Sequence, residues 1–324
     1  MIELNEKTKL KTMMEYEPVK DMGKYFIYTT SFLMKKILQG NFQQLKPMGW
    51  NMESIFYGYR FLCQNAEKNK CLYPVYEKDE CRDDKYKKDV NLIYFPAEKE
   101  EDKPYIILCA GGAYASVCSL VESYPVAARF HDLGYTVFVL NYRVGGKDIM
   151  PEPLDDLAAA IKFIRKNTDK FKVSDEYIVC GFSAGGNLTA LWGTSNHGYK
   201  YYGLPKPKVL FPIYPAVSSC LYKDDKLNIG FLETMFGKNY KDKMKDYDVD
   251  THVDESYPSC YIVNCEDDEQ LDYRHSLYLK NALENEHIPV KHELGKKGGH
   301  GFGEGRGTDV EGWYNRAAEF ERIL

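Results

Sequence analysis

Several features that would assign this 324-residue chain to a specialised class of protein are missing from its sequence. No apolar run approaches the roughly 18 residues that a membrane-spanning helix needs. The opening stretch MIELNEKTKLKTMMEYEP contains acids and has no apolar core, so it does not resemble a secretory signal peptide. Lys and Arg number 43 against 48 Asp and Glu, a balance that favours neither nucleic acid nor an anionic membrane as a partner. We therefore expect a cytoplasmic protein with no nucleic-acid partner and no membrane partner.

Patterns for metals and nucleotides are also missing. The nine cysteines include no Cys-x-x-Cys pair and no zinc-like spacing. No G-x-G-x-x-G sequence follows any predicted strand, so dinucleotide binding is weakly supported. We expect no metal and no cofactor. Four of the cysteines lie in or beside strand-like runs, where a reduced thiol acts as a small buried hydrophobe: Cys109, Cys180, Cys260 and Cys265.

From about residue 70 onward, β-rich apolar runs alternate with amphipathic stretches. Apolar runs without polar alternation, separated by helices, indicate a parallel sheet covered on both faces. The predicted fold class is therefore α/β. The predicted strands are 105–109, 135–140, 177–180, 208–214, 260–265 and 290–294, and helices are predicted at 151–167, at 184–192 and at the C-terminal end. Thr308 and Glu311 are predicted to form a capping box for the last helix.

Residues 1–69 do not follow this alternation and are predicted to form an N-terminal helical segment beside a catalytic domain at 70–324. Apolar residues recur at helical spacing in this segment, at Met52, Ile55, Phe56, Tyr59 and Leu62. Two alternatives remain open for the segment. It caps the active site, or its apolar stripe packs on the main domain or on a second subunit, as in a homodimer.

The most informative motif is GFSAGGN at residues 181–187. A G-x-S-x-G pattern between a β-rich run and a helix places the serine on a strained turn, where its oxygen faces a ligand. Ser183 is therefore predicted to be a nucleophile; the alternative is a serine that only caps a helix. A serine hydroxyl needs a positioned base. His300 fits best, because glycine-rich KKGGHGFGEGRG between the last strand and last helix can bring it back over the sheet edge.

The other histidines considered, His131, His197, His252 and His287, lie in helical or polar-loop contexts or beyond the helix that follows the nucleophile. A carboxylate must orient the base. The stretch NCEDDEQLD follows an apolar strand and offers Glu266, Asp267, Asp268, Glu269 and Asp272. Backbone N–H groups for an oxyanion are available in CAGGAY at 109–114, which is otherwise an ordinary or nucleotide-binding turn.

Four motifs in order, from about Leu72 to the C-terminus, resemble those of α/β-hydrolase esterases related to hormone-sensitive lipase and to bacterial acetyl-xylan esterases. They are CAGGAY, LNYRV followed by PEPLDDLAAAIKFIR, GFSAGGN, and EDDEQLD with GGHGF. The resemblance implies an α/β-hydrolase fold with a mostly parallel sheet, Ser183 as nucleophile, His300 as base and Asp268 as acid. It assigns the oxyanion hole to the backbone N–H groups of Gly112, Ala113 and Ala184, with Ala113 standing where the family has a glycine.

The implied reaction is acyl transfer without a metal or cofactor. We expect a serine carboxylesterase acting on a small-molecule ester with a short acyl chain, with acetyl esters of sugars or xylo-oligosaccharides as candidate substrates. A peptidase or amidase using the same residues and a non-catalytic ligand-binding homologue are the alternatives. Tyr114 and Phe182, beside the oxyanion loop and the nucleophile, are predicted to line a small substrate pocket together with Ala113.

Overall fold

The computed structural model describes residues 3–45, 49–99 and 103–324. Its β-strands, in chain order, are β1 Tyr28–Thr29, β2 Leu72–Pro74, β3 Asn91–Phe95, β4 Tyr105–Cys109, β5 Ser116–Val117, β6 Val137–Asn141, β7 Tyr177–Phe182, β8 Val209–Ile213, β9 Cys260–Cys265 and β10 Val290–Gly295. Within the described residues, eight of them form one sheet in the order β10-β9-β8-β7-β4-β6-β3-β2. The pairs β6–β3 and β3–β2 are antiparallel and the other neighbours are parallel.

The sheet is buried on both faces, as its apolar strands require. Every residue of β4, β7, β8 and β9 is buried. Alternate residues of β4 belong to two separate hydrophobic clusters: Ile106 and Leu108 contribute to one, and Ile107 and Cys109 to the other. A strand that feeds a core on each side needs apolar residues at successive positions, because its side chains alternate between the two faces.

Helices supply the other half of both cores. They are α1 Leu10–Met14, α2 Phe32–Ile37, α3 Phe42–Leu45, α4 Met52–Lys68, α5 Ser123–Asp132, α6 Glu152–Lys166, α7 Thr168–Phe171, α8 Ala184–Trp192, α9 Lys226–Phe236, α10 Tyr240–Lys243, α11 Arg274–Asn285 and α12 Trp313–Arg322. Helices α4, α5 and α12 lie against one face of the sheet, and α6, α8 and α11 contribute to the core on the other. Helix α6 carries acids in its first turn and bases in its last, which complements the helix dipole.

The predicted capping box before the last helix is wrong. Helix α12 begins at Trp313, after Gly312 in a left-handed conformation with φ of 78°. The hydroxyl of Thr308 donates instead to the carbonyl of Gly305, and the carboxylate of Glu311 accepts from the N–H of Gly307. These side chains therefore close turns in the loop before α12 rather than its first helical turn.

The N-terminal segment shares a core with the sheet. Phe26 and Tyr59 are fully buried, and the ring of Phe26 contacts both Tyr59 and Tyr124 of α5, with centroid distances of 5.8 and 5.9 Å. Strand β1 also pairs with β5, directly beyond the CAGGAY loop, with Thr29 opposite Ser116. The segment is thus packed against the elements that form the site.

Two further sequence expectations concern membranes and thiols. No helix in the described ranges is both long and apolar enough to cross a membrane. All nine cysteines are free thiols, and the four that were predicted to be buried in or beside strands are buried: Cys109, Cys180, Cys260 and Cys265.

Candidate active site

Ser183 occupies the turn between β7 and α8. Its backbone angles, φ of 52° and ψ of −116°, lie in a region that residues other than glycine rarely adopt. The flanking glycines make this turn possible. A Cβ on Gly181 would overlap the carbonyl oxygen of Gly185, and a Cβ on Gly185 would overlap that of Cys109. The G-x-S-x-G spacing is therefore required for this backbone path, which presents the serine hydroxyl at the carboxyl edge of the sheet.

Three side chains from separate loops form one hydrogen-bonded row. Nε2 of His300 lies 2.8 Å from Oγ of Ser183, and Nδ1 of His300 lies 2.6 Å from Oδ2 of Asp268. Because a carboxylate accepts hydrogen bonds, Nδ1 carries the proton of the neutral ring, and Nε2 is left to accept from the serine hydroxyl. Only 2% of the Asp268 side chain is exposed, whereas Ser183 faces an open cleft. This arrangement can remove the serine proton as its oxygen attacks a carbonyl group.

Asp267 and Asp268, which follow β9, make different contacts in the structure. The second carboxylate oxygen of Asp268 accepts from two backbone N–H groups of its own loop, both at 2.9 Å, which fixes its orientation toward His300. Oδ1 of Asp267 accepts from the N–H groups of Gly298 and Gly299, at 2.9 and 2.8 Å. Asp267 therefore holds the loop that carries His300, and Asp268 contacts the imidazole itself.

Three backbone amides beside Ser183 are free to receive an oxyanion. In the part of the chain that the structure describes, the N–H groups of Gly112, Ala113 and Ala184 have no acceptor. Ala184 begins α8, where a helix leaves N–H groups unpaired and its dipole favours negative charge. Ala113 has φ of 53°, a left-handed conformation that glycine adopts at lower cost, so its methyl group is accommodated at some strain. Gly111 is different, because its N–H donates to the carboxylate of Glu122.

Two cavities meet at Ser183, His300 and Ala113. The smaller, of about 60 Å³, has walls of Ala216, Tyr222, Phe231 and Leu271. The larger, of about 470 Å³, is open to solvent and is lined by residues that follow β4 and by three residues of the N-terminal segment: Ser31, Met34 and Trp50. A bound ester could therefore place its two halves on opposite sides of the nucleophile.

The prediction that Tyr114 and Phe182 line the pocket is wrong. Both side chains are fully buried. Phe182 is the last residue of β7, and its ring packs in the core near Tyr214 and Trp313, with centroids 6.1 and 6.3 Å away. The hydroxyl of Tyr114 donates to Asn187 at 2.7 Å under α8. Position next to Ser183 along the chain does not bring Phe182 into the cavity, because strand geometry turns its side chain into the core.

Sequence reasoning missed Glu122, a buried carboxyl group that lies against the larger cavity. Burial raises the pKa of Glu122 above its ordinary range, against the opposing effects of hydrogen bonds from Gly111 and Tyr214 and of the charge on nearby His300. A single acid inside the apolar stretch LVESYPVAARF was the only signal in the sequence.

A second buried group, His275, was also missed. Its Nδ1 accepts from the N–H groups of Val217 and Ser218, at 3.1 and 3.2 Å, in the loop after β8. Burial lowers the pKa of His275 to about 4, so its ring is neutral at neutral pH. Three of the histidines set aside from sequence have other partners. His131 contacts the carbonyl of Pro96, His252 contacts that of Asp248, and His197 pairs with Asp246.

Comparisons with known proteins identify relatives over parts of the chain. The BD-FAE family model matches residues 92–207. Among curated relatives, a Butyrivibrio fibrisolvens protein named endo-1,4-beta-xylanase B is 25% identical over 245 residues, which are 72% of this chain and 38% of that protein. The acetylxylan esterase of Xylanibacter ruminicola is 28% identical over 141 residues, 38% of this chain and 28% of the relative. The chain therefore spans less than two fifths of the length of either of these relatives.

A solved structure extends the comparison to most of the chain. An acetyl ester-xyloside bifunctional hydrolase from Caldicellulosiruptor lactoaceticus matches with a TM-score of 0.68 and 24% identity, over 78% of this chain and 96% of that one. The chain has the α/β-hydrolase fold, and the predicted fold class is confirmed. Its predicted resemblance to α/β-hydrolase esterases is confirmed as well.

Proposed function

We propose that this protein is a serine carboxylesterase that hydrolyses esters with short acyl chains. Ser183 is the nucleophile, His300 the base and Asp268 the acid that orients it. The observation that carries the proposal is the hydrogen-bonded row of these three side chains, which opens onto a cleft beside three unpaired amides. Several relatives carry the name esterase, which supports the same reaction class.

The reaction proceeds in two halves. His300 takes the proton of Ser183 as Oγ attacks the ester carbonyl, and the N–H groups of Gly112, Ala113 and Ala184 receive the negative charge on the carbonyl oxygen. The imidazolium, stabilised by Asp268, then protonates the departing alcohol. In the second half His300 activates water, which releases the acid from the acyl-enzyme and restores the serine hydroxyl.

The smaller cavity is assigned to the acyl group. Its volume of about 60 Å³ and its walls of Ala216, Tyr222, Phe231 and Leu271 leave little length for a chain beyond the carbonyl carbon. A small, mostly apolar pocket favours acyl groups that fit it over longer ones, because each methylene that does not fit costs about 1–3 kcal/mol. Acetyl and propionyl esters are the expected substrates.

The larger cavity is assigned to the alcohol, and here residues 1–69 act as a partial cap. Ser31, Met34 and Trp50 line the cavity together with residues that follow β4. An aromatic side chain on an open, partly polar wall suits the apolar face of a sugar ring, and the hydroxyl of Ser31 suits its polar edge. Acetylated sugars or xylo-oligosaccharides are therefore the proposed substrate class, in keeping with the names of two matched proteins.

A fluorophosphonate probe tests the nucleophile directly. The full chain should be labelled on Ser183 and should hydrolyse p-nitrophenyl acetate. Ser183→Ala should lose both labelling and nearly all turnover, because the residues of a catalytic triad act as a unit. More than about a percent of wild-type kcat in the variant would contradict the assignment. Acetyl esters and matched acetyl amides compared on the wild-type protein separate an esterase from an amidase, and absent labelling would support a binding-only protein.

A further inference from the structure

The buried carboxylate of Glu122 touches two loops of the site at once. It lies just before α5 and is 5% exposed. Oε2 accepts from the N–H of Gly111 at 2.5 Å, in the loop that continues into the oxyanion amides. Oε1 accepts from the hydroxyl of Tyr214 at 3.0 Å. Both hydrogen-bond partners are neutral, so neither supplies a cation that offsets the burial of this charge.

Tyr214 extends the connection to the loop of the base. Its hydroxyl oxygen also accepts from the N–H of Gly303 at 3.2 Å, three residues beyond His300. Its ring lies against the imidazole, with 4.9 Å between the ring centroids. Tyr214 has φ of 38°, a conformation that non-glycine residues rarely adopt. Tyr214 therefore combines a strained backbone with a buried phenol hydroxyl, and it lies between Glu122 and His300.

We propose that Glu122 is a positioning residue of the esterase reaction, acting through Gly111 on the oxyanion loop and through Tyr214 on the loop of His300. The inference rests on the proposed function. Fixing Gly111 sets the direction of the next two N–H groups in the chain, which receive the oxyanion. The negative charge of Glu122 also favours the imidazolium that forms on His300 as the serine attacks.

The stability of a Glu122 variant distinguishes a positioning role from a purely structural one, because loss of a structural role would lower turnover only through loss of folded protein. A buried carboxylate with two neutral partners is costly, so replacement by a neutral side chain of the same shape should change stability little or raise it. Glu122→Gln keeps one oxygen for the N–H of Gly111 and loses the charge together with the acceptor for Tyr214. The inference therefore predicts reduced turnover in a protein that is about as stable as the wild type.

The experiment measures kcat, KM and Tm of Glu122→Gln on p-nitrophenyl acetate. We expect kcat to fall about 10- to 100-fold, the size of effect that small misplacements of reacting groups produce, with KM within about threefold of wild type. Glu321→Gln is the matched control, because Glu321 is also buried and accepts from a tyrosine hydroxyl, that of Tyr135 at 2.9 Å. The control should leave kcat unchanged.

A second variant covers failure of the first to fold. Tyr214→Phe removes only the hydroxyl and should lower kcat about tenfold, and combining it with Glu122→Gln should add little, because both changes break one connection. Glu122→Gln with more than half of wild-type kcat, or a kcat loss that only follows the loss of folded protein, would overturn the inference. A wild-type protein that neither hydrolyses esters nor reacts with fluorophosphonate would overturn the proposed function and the inference with it.

Discussion

The proposed acyl pocket gives the sharpest prediction, and Phe231 is the residue to change. Phe231 lies on α9, is partly buried and forms a wall of the smaller cavity beside Tyr222, with 5.7 Å between the two ring centroids. Its ring also stacks on that of Tyr114, with 5.9 Å between the two centroids. Phe231→Ala removes this wall without introducing a polar group, and alanine suits a helix.

The magnitude follows from what happens to each added methylene. In the wild-type pocket of about 60 Å³, we expect a methylene beyond propionyl to meet the wall and to cost about 1–3 kcal/mol. In the Phe231→Ala variant the same methylene enters an apolar space and contributes about 0.8 kcal/mol. The ratio of kcat/KM for butyryl over acetyl esters should therefore shift by about 2 kcal/mol or more for each rescued methylene, roughly 30-fold.

The assay is kcat/KM on p-nitrophenyl acetate, butyrate and hexanoate, which share one leaving group. Phe163→Ala is the matched control: Phe163 is partly buried in α6 and packs on Phe171, with 6.0 Å between the rings, but does not line either cavity. The control should keep the wild-type profile. A wild-type optimum at octanoyl or longer would refute the short-acyl assignment. A Phe231→Ala variant that changes preference among alcohols and not among acyl chains would show that the smaller cavity holds the alcohol.

Three further predictions concern other parts of the site and the stability of the fold. Asp268→Asn should lower kcat roughly 10⁴-fold, and Asp267→Asn less than about tenfold because its amide oxygen can still accept from the loop; the reverse order in steady-state kinetics would exchange the two roles. Trp50→Ala should raise KM several-fold for acetylated xylo-oligosaccharides but not for p-nitrophenyl acetate. The control is Phe32→Ala, because Phe32 is 83% exposed and does not line the cavity; an equal rise in KM in this variant would argue against sugar binding by Trp50. Burial lowers the pKa of His275 from 6.5 to about 4, so the stability that its neutral ring contributes is full above pH 6.5 and is lost as pH falls toward 4, by up to roughly 3 kcal/mol. In urea unfolding at pH 7.5 and 4.5, His275→Asn should therefore lose less stability on acidification than the wild type. An equal loss of stability in the two proteins would show that His275 is not the group responsible.

The proposed catalytic groups could be predicted from sequence because their signals are local. A serine between glycines after a β-rich run specifies one strained turn, and a histidine between glycines specifies a loop that can fold back over the sheet. The acid was harder: five carboxylates follow β9, and only the family resemblance selected Asp268 among them. The distinction between Asp267 and Asp268 depends on backbone N–H groups from another loop, at Gly298 and Gly299, which no local pattern reveals.

The pocket walls could not be predicted, because they come from segments distant in sequence. Phe182 was chosen for its place next to the nucleophile, yet the alternation of β7 directs its ring into the core. The actual walls include Phe231 on α9 and Trp50 in the N-terminal segment, whose positions depend on tertiary packing. Glu122 escaped notice for the same reason, since its two partners lie 11 and 92 residues away along the chain.

The N-terminal segment both lines the larger cavity and supports the loop that follows β4, so deleting the segment would change both at once. Thr29 donates from its hydroxyl to the carbonyl of Ala115 at 3.1 Å and accepts from the hydroxyl of Ser116 at 2.8 Å, directly after the proposed oxyanion amides. Strand β1 therefore steadies the loop that carries Gly112, and Phe26 of the same segment is part of the sheet's core. Deleting residues 1–69 should then reduce hydrolysis of every ester, the smallest acetate included, because the loop loses its neighbour. Point substitutions on the cavity side of the segment leave that pairing intact, so they alone separate substrate selection from support of the catalytic loop.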